Sequence, residues 1–206
     1  MVNPVMFSSA SQKWETPPPL VAQLNRVFDW DLDVAASRAN VCENYLTTAD
    51  NALDERTPWG RLNWMNPPYG RSKTKPSTTV KDWVHRAHIA DLKGKSTVCL
   101  IAARTDLWWH EWVLKSQLVV FIEGRLRFGS DAYWQARWDN PADSLYGRHG
   151  YRASAPFPSA FVVYDRAQRL TTEQLQFLAS YGWAVPPSVT ALATLGRGSR
   201  PFLFAS

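Results

Sequence analysis

The sequence predicts an α/β domain with a mainly parallel central sheet and flanking helices. Three observations carry this. Apolar runs too short for helices recur along the chain, as in RLNWMNPP, STVCLIAAR and FPSAFVVYD. Helical periodicity fills stretches between them, as in TPPPLVAQLNRVF and VKDWVHRAHIADLKG. The 206 residues suffice for one domain with a real core, and 45% apolar with 20% charged residues is an ordinary globular balance.

Taken in order, MVNPVMFSSASQ is small and polar, and residues 1–13 are expected to form a flexible N-terminus. The next segment places Leu20, Val21, Leu24, Val27 and Phe28 at helical spacing, with Thr16 as a possible cap and prolines in the first turn. WDLDVAAS reads as a short strand running into small residues, and NVCENYLT as a second one. RLNWMNPPYG is a strand that its prolines must end, because proline cannot donate to a ladder. VKDWVHRAHIADLKG is a helix closed by Gly94, and STVCLIAAR a buried strand holding Cys99. TDLWWHEWVLKS is a helix with Thr105 as a possible cap, and its Trp108, Trp109 and Trp112 lie at helical spacing, which puts at least one of them in the core. QLVVFIEGRLRFG reads as strand, turn and short strand. Ser130 to Ser154 has no period, FPSAFVVYD is another buried strand, and TTEQLQFLASYGW a late helix.

Composition narrows the function. The net charge of +5 fits a polyanionic partner such as nucleic acid, and 11 tryptophans exceed what a core of this size needs, which suits stacking on something planar. The two cysteines form no CxxC and no Cys/His cluster, so no metal is expected. No signal peptide and no apolar run of membrane-spanning length is present, so a cytoplasmic protein without membrane attachment is expected.

The chemistry concentrates at Asn66-Pro67-Pro68-Tyr69. A residue before proline is pushed out of the helical region, and both prolines have φ fixed, so the turn is stiff. The Asn66 side-chain oxygen and the Pro67 carbonyl become two preset acceptors, with Tyr69 a flat ring at the rim. Two acceptors and a ring suit a planar group bearing an NH2. The exocyclic amine of adenine is a poor nucleophile because its lone pair is delocalised into the ring. Accepting its two protons favours the pyramidal form that can attack, and stacking on Tyr69 holds it in line. Adenine within a duplex must be flipped out to reach such a turn. An amide NH2, as on glutamine, also fits two acceptors.

This motif resembles that of amino-methyltransferases dependent on S-adenosylmethionine, and the wider pattern resembles the phage-type DNA N-6-adenine methyltransferases, the Dam family of phages and prophages. The matching pieces are WETPPPLVAQLNRVFDWDLDVAAS, NVCENYLTTADNAL, WMNPPYG, WVHRAH, TVCLIAARTDLWWH, FIEGRLRF and FPSAFVVYD, in the family's order from about Trp14 to Asp165. The resemblance implies a Rossmann-like methyltransferase domain over 14–165 and a C-terminal extension over 166–206. It implies S-adenosyl-L-methionine as cofactor, with Thr16 and Pro17 near its methionine end, Asp33, Ala35 and Ala36 at the first cofactor loop, and Asp50 reading the amino group of its adenine. The Gly-x-Gly usual at that loop is missing. Phe128, in FIEGRLRF, is implied as a second aromatic beside the flipped base. A phage enzyme of this kind would protect DNA within a host cell's cytoplasm from restriction.

DNA, double-stranded and read with base flipping, is the expected partner. About fifteen residues separate Asp50 from Asn66, too few for a recognition module, so recognition falls to a later loop, about 129–155. Arg71, Lys73 and Lys75 follow the catalytic turn and suit phosphates. Arg125, Arg127 and Arg137 interleave with Tyr133, Trp134 and Trp138, a mixture suited to grooves and unstacked bases. Arg104 pairs with Asp106 or contacts DNA. Two rivals stand beside this reading: an RNA adenine or protein glutamine methyltransferase using the same turn, and a DNA-binding module that has lost catalysis.

Overall fold

The computed structural model describes residues 15–36, 40–70, 78–126 and 157–186. Within them the chain runs α1 (Pro18–Leu24), β1 (Leu32–Asp33), β2 (Leu62–Met65), α2 (Val80–Leu92), β3 (Ser96–Ala102), α3 (Leu107–Trp112) with a 3-10 turn at Val113–Lys115, β4 (Leu118–Ile122), β5 (Ser159–Tyr164), α4 (Thr172–Ala179) and β6 (Gly182–Val185). The expected late helix is α4, and the 182–185 segment that follows it is the sheet's sixth strand.

The strands form one sheet in the order β1-β2-β3-β5-β4-β6. The mainly parallel sheet expected from the sequence is not what forms. β1–β2 and β2–β3 are parallel, but β3–β5, β5–β4 and β4–β6 are antiparallel, so the sheet is mixed. Alternating strands and helices carry no information about strand direction, and β5 inserts reversed between β3 and β4. The pairings still leave β1, β2, β3 and β4 running the same way, so all four end at one edge of the sheet, called here the upper edge. β5 begins there.

Strand alternation divides the core into two layers. Trp64, Val98, Leu100, Val120, Phe161 and Val163 pack on one face against Leu20 and Leu24 of α1 and Leu178 of α4. Met65, Cys99, Ile101, Val119, Val162 and Tyr164 pack on the other against Val84, Ala87 and Ala90 of α2 and Trp109 and Val113 of α3. Helices thus flank both faces. Of the three tryptophans at helical spacing, Trp109 is the core residue, with Trp108 and Trp112 half-buried.

Local chemistry fixes the helix ends. In α2, the Asp82 carboxylate accepts from the Thr79 N–H at 2.7 Å and from its hydroxyl at 3.0 Å. Gly94 closes the same helix in the left-handed region, φ 73°, which favours glycine. In α4, the Thr171 hydroxyl accepts from the Gln174 N–H at 3.2 Å, and the Gln174 side chain accepts from the Thr171 N–H at 2.9 Å. Neither of the other two expected caps is used. The residue before α1 is Pro17 and the one before α3 is Asp106, so Thr16 and Thr105 each lie one residue too early.

Trp64 is completely buried and tilts against Trp30 at 5.6 Å and Phe161 at 6.4 Å between ring centroids. Trp64→Ala is expected to lower unfolding free energy by about 3–5 kcal/mol, the usual cost of emptying an aromatic core site. Urea denaturation reads this directly, and a loss below about 1 kcal/mol would contradict a packed core at this position.

Candidate active site

The upper edge gathers the ends of β1, β2 and β3. β2 pairs with β3 as far as Met65 opposite Cys99, and there the prolines stop it while β3 continues to Ala102. The Leu100 carbonyl, one step beyond the last pair, is taken by the Tyr69 hydroxyl, which donates to it at 3.0 Å. Tyr69 therefore does more than stand at the rim. Its hydroxyl is anchored on the backbone of β3, and burial pushes the phenol well above its ordinary pKa, so it stays protonated and able to donate. Its ring stacks on Phe157, with centroids 5.0 Å apart and planes 28° from parallel. Phe157 reaches the turn because β5 is antiparallel and starts at this edge. Sequence analysis gave it no role, although it opens the FPSAFVVYD run; only the reversed strand brings it here.

Asn66 is tied to a segment fifty residues earlier. Its Nδ2 donates to the Thr16 hydroxyl oxygen at 3.0 Å. Thr16 and Pro17 are both buried, and so is Pro67, whereas Pro68 is exposed. Thr16, first read as a helix cap, instead fastens the lead-in to α1 onto the Asn66–Tyr69 turn.

At the end of β1, Asp33 is 3% exposed. Its Oδ1 accepts from the Ala35 N–H at 3.1 Å and its Oδ2 from the Val41 N–H, also at 3.1 Å. The carboxylate thus holds together the loop that Ala35 and Ala36 begin. The loop's far side pairs with β1 through Asp33 N–H to Asn44 O at 3.0 Å and Leu46 N–H to Asp33 O at 2.8 Å. The second strand expected from NVCENYLT is present only as a single parallel bridge, Asp33 to Tyr45. Asp50 lies exposed beyond it, and its Oδ2 accepts from the Thr47 N–H at 2.7 Å and the Thr47 hydroxyl at 2.8 Å, which lowers its pKa.

Desolvation outweighs the two N–H bonds on Asp33 and raises its pKa from 3.8 to about 6. The cysteines offer no thiolate. Burial pushes Cys99 well above its ordinary range, and burial, helped by the nearby Asp33 carboxylate, raises Cys42 to about 11.

Arg104 follows the end of β3 and is exposed; its Nη1 pairs with the Asp106 Oδ2 at 3.4 Å, the local pair foreseen from the sequence. Arg125 follows β4 at the same edge and is exposed. Arg71, Lys73, Lys75, Arg127, Phe128 and Arg137 lie outside the described residues, as do residues 1–14 and the whole expected recognition loop. Among the described residues no group of His, Cys, Asp and Glu is arranged to hold a metal ion, and no helix is long and apolar enough to cross a membrane.

The family model described as DNA N-6-adenine-methyltransferase (Dam) matches residues 6–147, a span that includes α1 through β4 and the whole Asn66–Tyr69 turn. No curated protein and no solved structure matches the chain. The chain belongs to the Dam family and is an enzyme of that type, a methyltransferase acting on adenine in DNA. Family membership favours DNA adenine methylation over both rivals, the RNA or protein methyltransferase and the module without catalysis. The match stops ten residues short of Phe157, whose place at the site comes from the structure alone.

The raised pKa of Asp33 has a sign. Its native pKa exceeds the unfolded value, so the stability it contributes is present below pH 3.8 and is lost as pH rises through about 6. Asp33→Asn does not titrate. The stability difference between wild type and Asp33→Asn is therefore expected to move in the variant's favour by about 3 kcal/mol between pH 3.5 and 7.5, as a shift of roughly two pKa units converts. Urea denaturation across that range measures it, and a difference independent of pH would show that Asp33 titrates normally.

Proposed function

We propose that this Dam-family enzyme transfers a methyl group from S-adenosyl-L-methionine to N6 of an adenine flipped out of duplex DNA, on the upper edge around Asn66, Pro67, Pro68 and Tyr69. The observation that carries this reading is the Asn66–Thr16 hydrogen bond, which joins the turn that would hold the amine to the segment that would approach the reactive end of the cofactor. The Rossmann-like part of this reading is supported by parallel β1, β2 and β3 ending at one edge, with helices on both faces of the sheet.

The residues present fit the cofactor's chemistry. Ala35 and Ala36 are short enough for close approach where glycines are absent, and Asp33 holds their loop by accepting its N–H groups. Thr16 and Pro17 would lie toward the methionine end, and Asp50 toward the adenine amino group. When bound, S-adenosylmethionine supplies an electrophilic sulfonium methyl that an amine attacks in line.

Asn66 Oδ1 and the Pro67 carbonyl would accept the two N6 protons and favour the pyramidal amine. Once N6 gains its fourth substituent it is strongly acidic, so losing a proton requires no dedicated base. Tyr69, hooked to Leu100 and backed by Phe157, would give the flipped base a stiff aromatic surface. Phe157 would serve as a further aromatic beside the base, while Phe128, implied by the resemblance as a second one, lies outside the described residues. Arg71, Lys73, Lys75, Arg104, Arg125, Arg127 and Arg137 would supply contacts to DNA, with recognition carried by the segment around 129–155.

Asn66→Ala is expected to lower turnover by about 100-fold or more while leaving cofactor affinity within about threefold, because the amide is needed where charge develops on the amine. Transfer of a labelled methyl from S-adenosylmethionine to unmethylated genomic DNA, with RNA and protein as parallel acceptors and digestion to nucleosides, measures it. Label in N6-methyldeoxyadenosine supports the reaction; near-normal turnover of the variant would remove Asn66 from the mechanism.

A further inference from the structure

Leu107 is 83% exposed, more than any other large apolar side chain among the described residues. Trp183, the next at 67%, stands on the outer strand β6, and Leu92, at 52%, ends α2 just before β3 enters the sheet from the opposite edge. Leu107 instead opens α3, five residues after β3 ends. Since β2 and β3 are parallel and in register to Met65–Cys99, the chain leaves both strands at the upper edge, on one side as Asn66–Tyr69 and on the other as the approach to Leu107. The inward positions of α3 and its 3-10 extension are filled by Trp109 and Val113, which leaves Leu107 pointing out. Its setting is fixed. Asp106 Oδ2 accepts from Arg104 Nη1 at 3.4 Å and from Trp108 Nε1 at 3.2 Å, so one carboxylate holds the residues on both sides of it and has its own charge offset beside Leu107.

We infer that Leu107 is the wedge that enters the duplex and fills the space an adenine leaves when it flips toward the Asn66 turn, with Arg104 against the adjoining phosphate. The inference rests on the base flipping proposed above. A stack with a base removed closes again unless something apolar occupies the gap, and branched aliphatic side chains are what DNA-distorting proteins insert between base steps. A solvated leucine gives up no hydrogen bond on entering the duplex and removes its own apolar surface from water there. The same arginine that flanks it supplies the phosphate contact that sets the depth of entry.

The test uses the full-length protein, an unmethylated plasmid and two variants, Leu107→Ala and Leu107→Met. Methyl transfer to the native plasmid is one readout. The other is the reactivity of plasmid thymines to permanganate with enzyme and S-adenosylhomocysteine bound, which reports thymines left unpaired. Leu107→Ala is expected to lower transfer by about tenfold or more and to abolish the gain in thymine reactivity, while Leu107→Met keeps both within about threefold. Leu107→Ala with transfer or thymine reactivity at the wild-type level would overturn the wedge, as would a methionine variant as impaired as the alanine one. A wild-type protein that methylates the plasmid without exposing thymines would overturn both the wedge and the flipping, and one that transfers no methyl at all would overturn the reading of the site itself.

Discussion

The missing N–H of proline organises this molecule. Had β2 continued beyond Met65, the residues after it would have paired with β3 and closed the upper edge. Pro67 and Pro68 forbid that, and a stretch of β3 is left with carbonyls to satisfy. The Tyr69 hydroxyl takes one of them at Leu100. Interrupting the ladder and placing an aromatic ring at the gap are thus one event, and the ring's orientation follows from a backbone hydrogen bond rather than from loop packing. Asn66, the last residue before the prolines, is turned back toward Thr16 by the same interruption.

Buried carboxylates then tie the loops to the sheet. At the upper edge Asp33 gathers the main chain of Ala35 and Val41. At the lower edge Asp165 accepts from Ser96 Oγ, from the Arg169 N–H and from the Leu170 N–H, joining the start of β3 to the connection into α4. Asp91, fully buried in α2, accepts from the Arg166 N–H at 2.6 Å. Such groups stabilise only because their lone pairs meet N–H and O–H donors. On Asp33 two N–H bonds do not overcome desolvation, so the carboxyl that holds this loop gains its charge only toward pH 6.

Much of this was legible in the sequence, for physical reasons that differ by element. Short continuous apolar runs located β2, β3, β4 and β5, and 3.6-residue periods located α1, α2 and α4, since both follow from which side chains are buried. The Asn-Pro-Pro-Tyr stop was readable because proline's effect on a ladder is local. Strand direction was not readable, because antiparallel and parallel core strands bury the same residues, and so β5 was assigned to a mainly parallel sheet. Phe157 was missed with it: its place beside Tyr69 depends entirely on β5 running backwards. Thr16 illustrates a third case. A threonine ahead of a helix has two uses for its hydroxyl, and only the fold brought Asn66 close enough to decide between them.

The reversed strand also makes the architecture modular. β4 arrives at the upper edge and β5 departs from it as hydrogen-bonded neighbours, Phe121 opposite Ala160. The segment between Leu126 and Phe157 therefore leaves and rejoins the sheet at ends anchored side by side, the second of them carrying the ring that stacks on Tyr69. The entropy of closing a loop between such ends grows only slowly with its length, so the strands tolerate a wide range of lengths there. The Phe121–Ala160 pairing thus sets where that segment departs and returns, whatever its length.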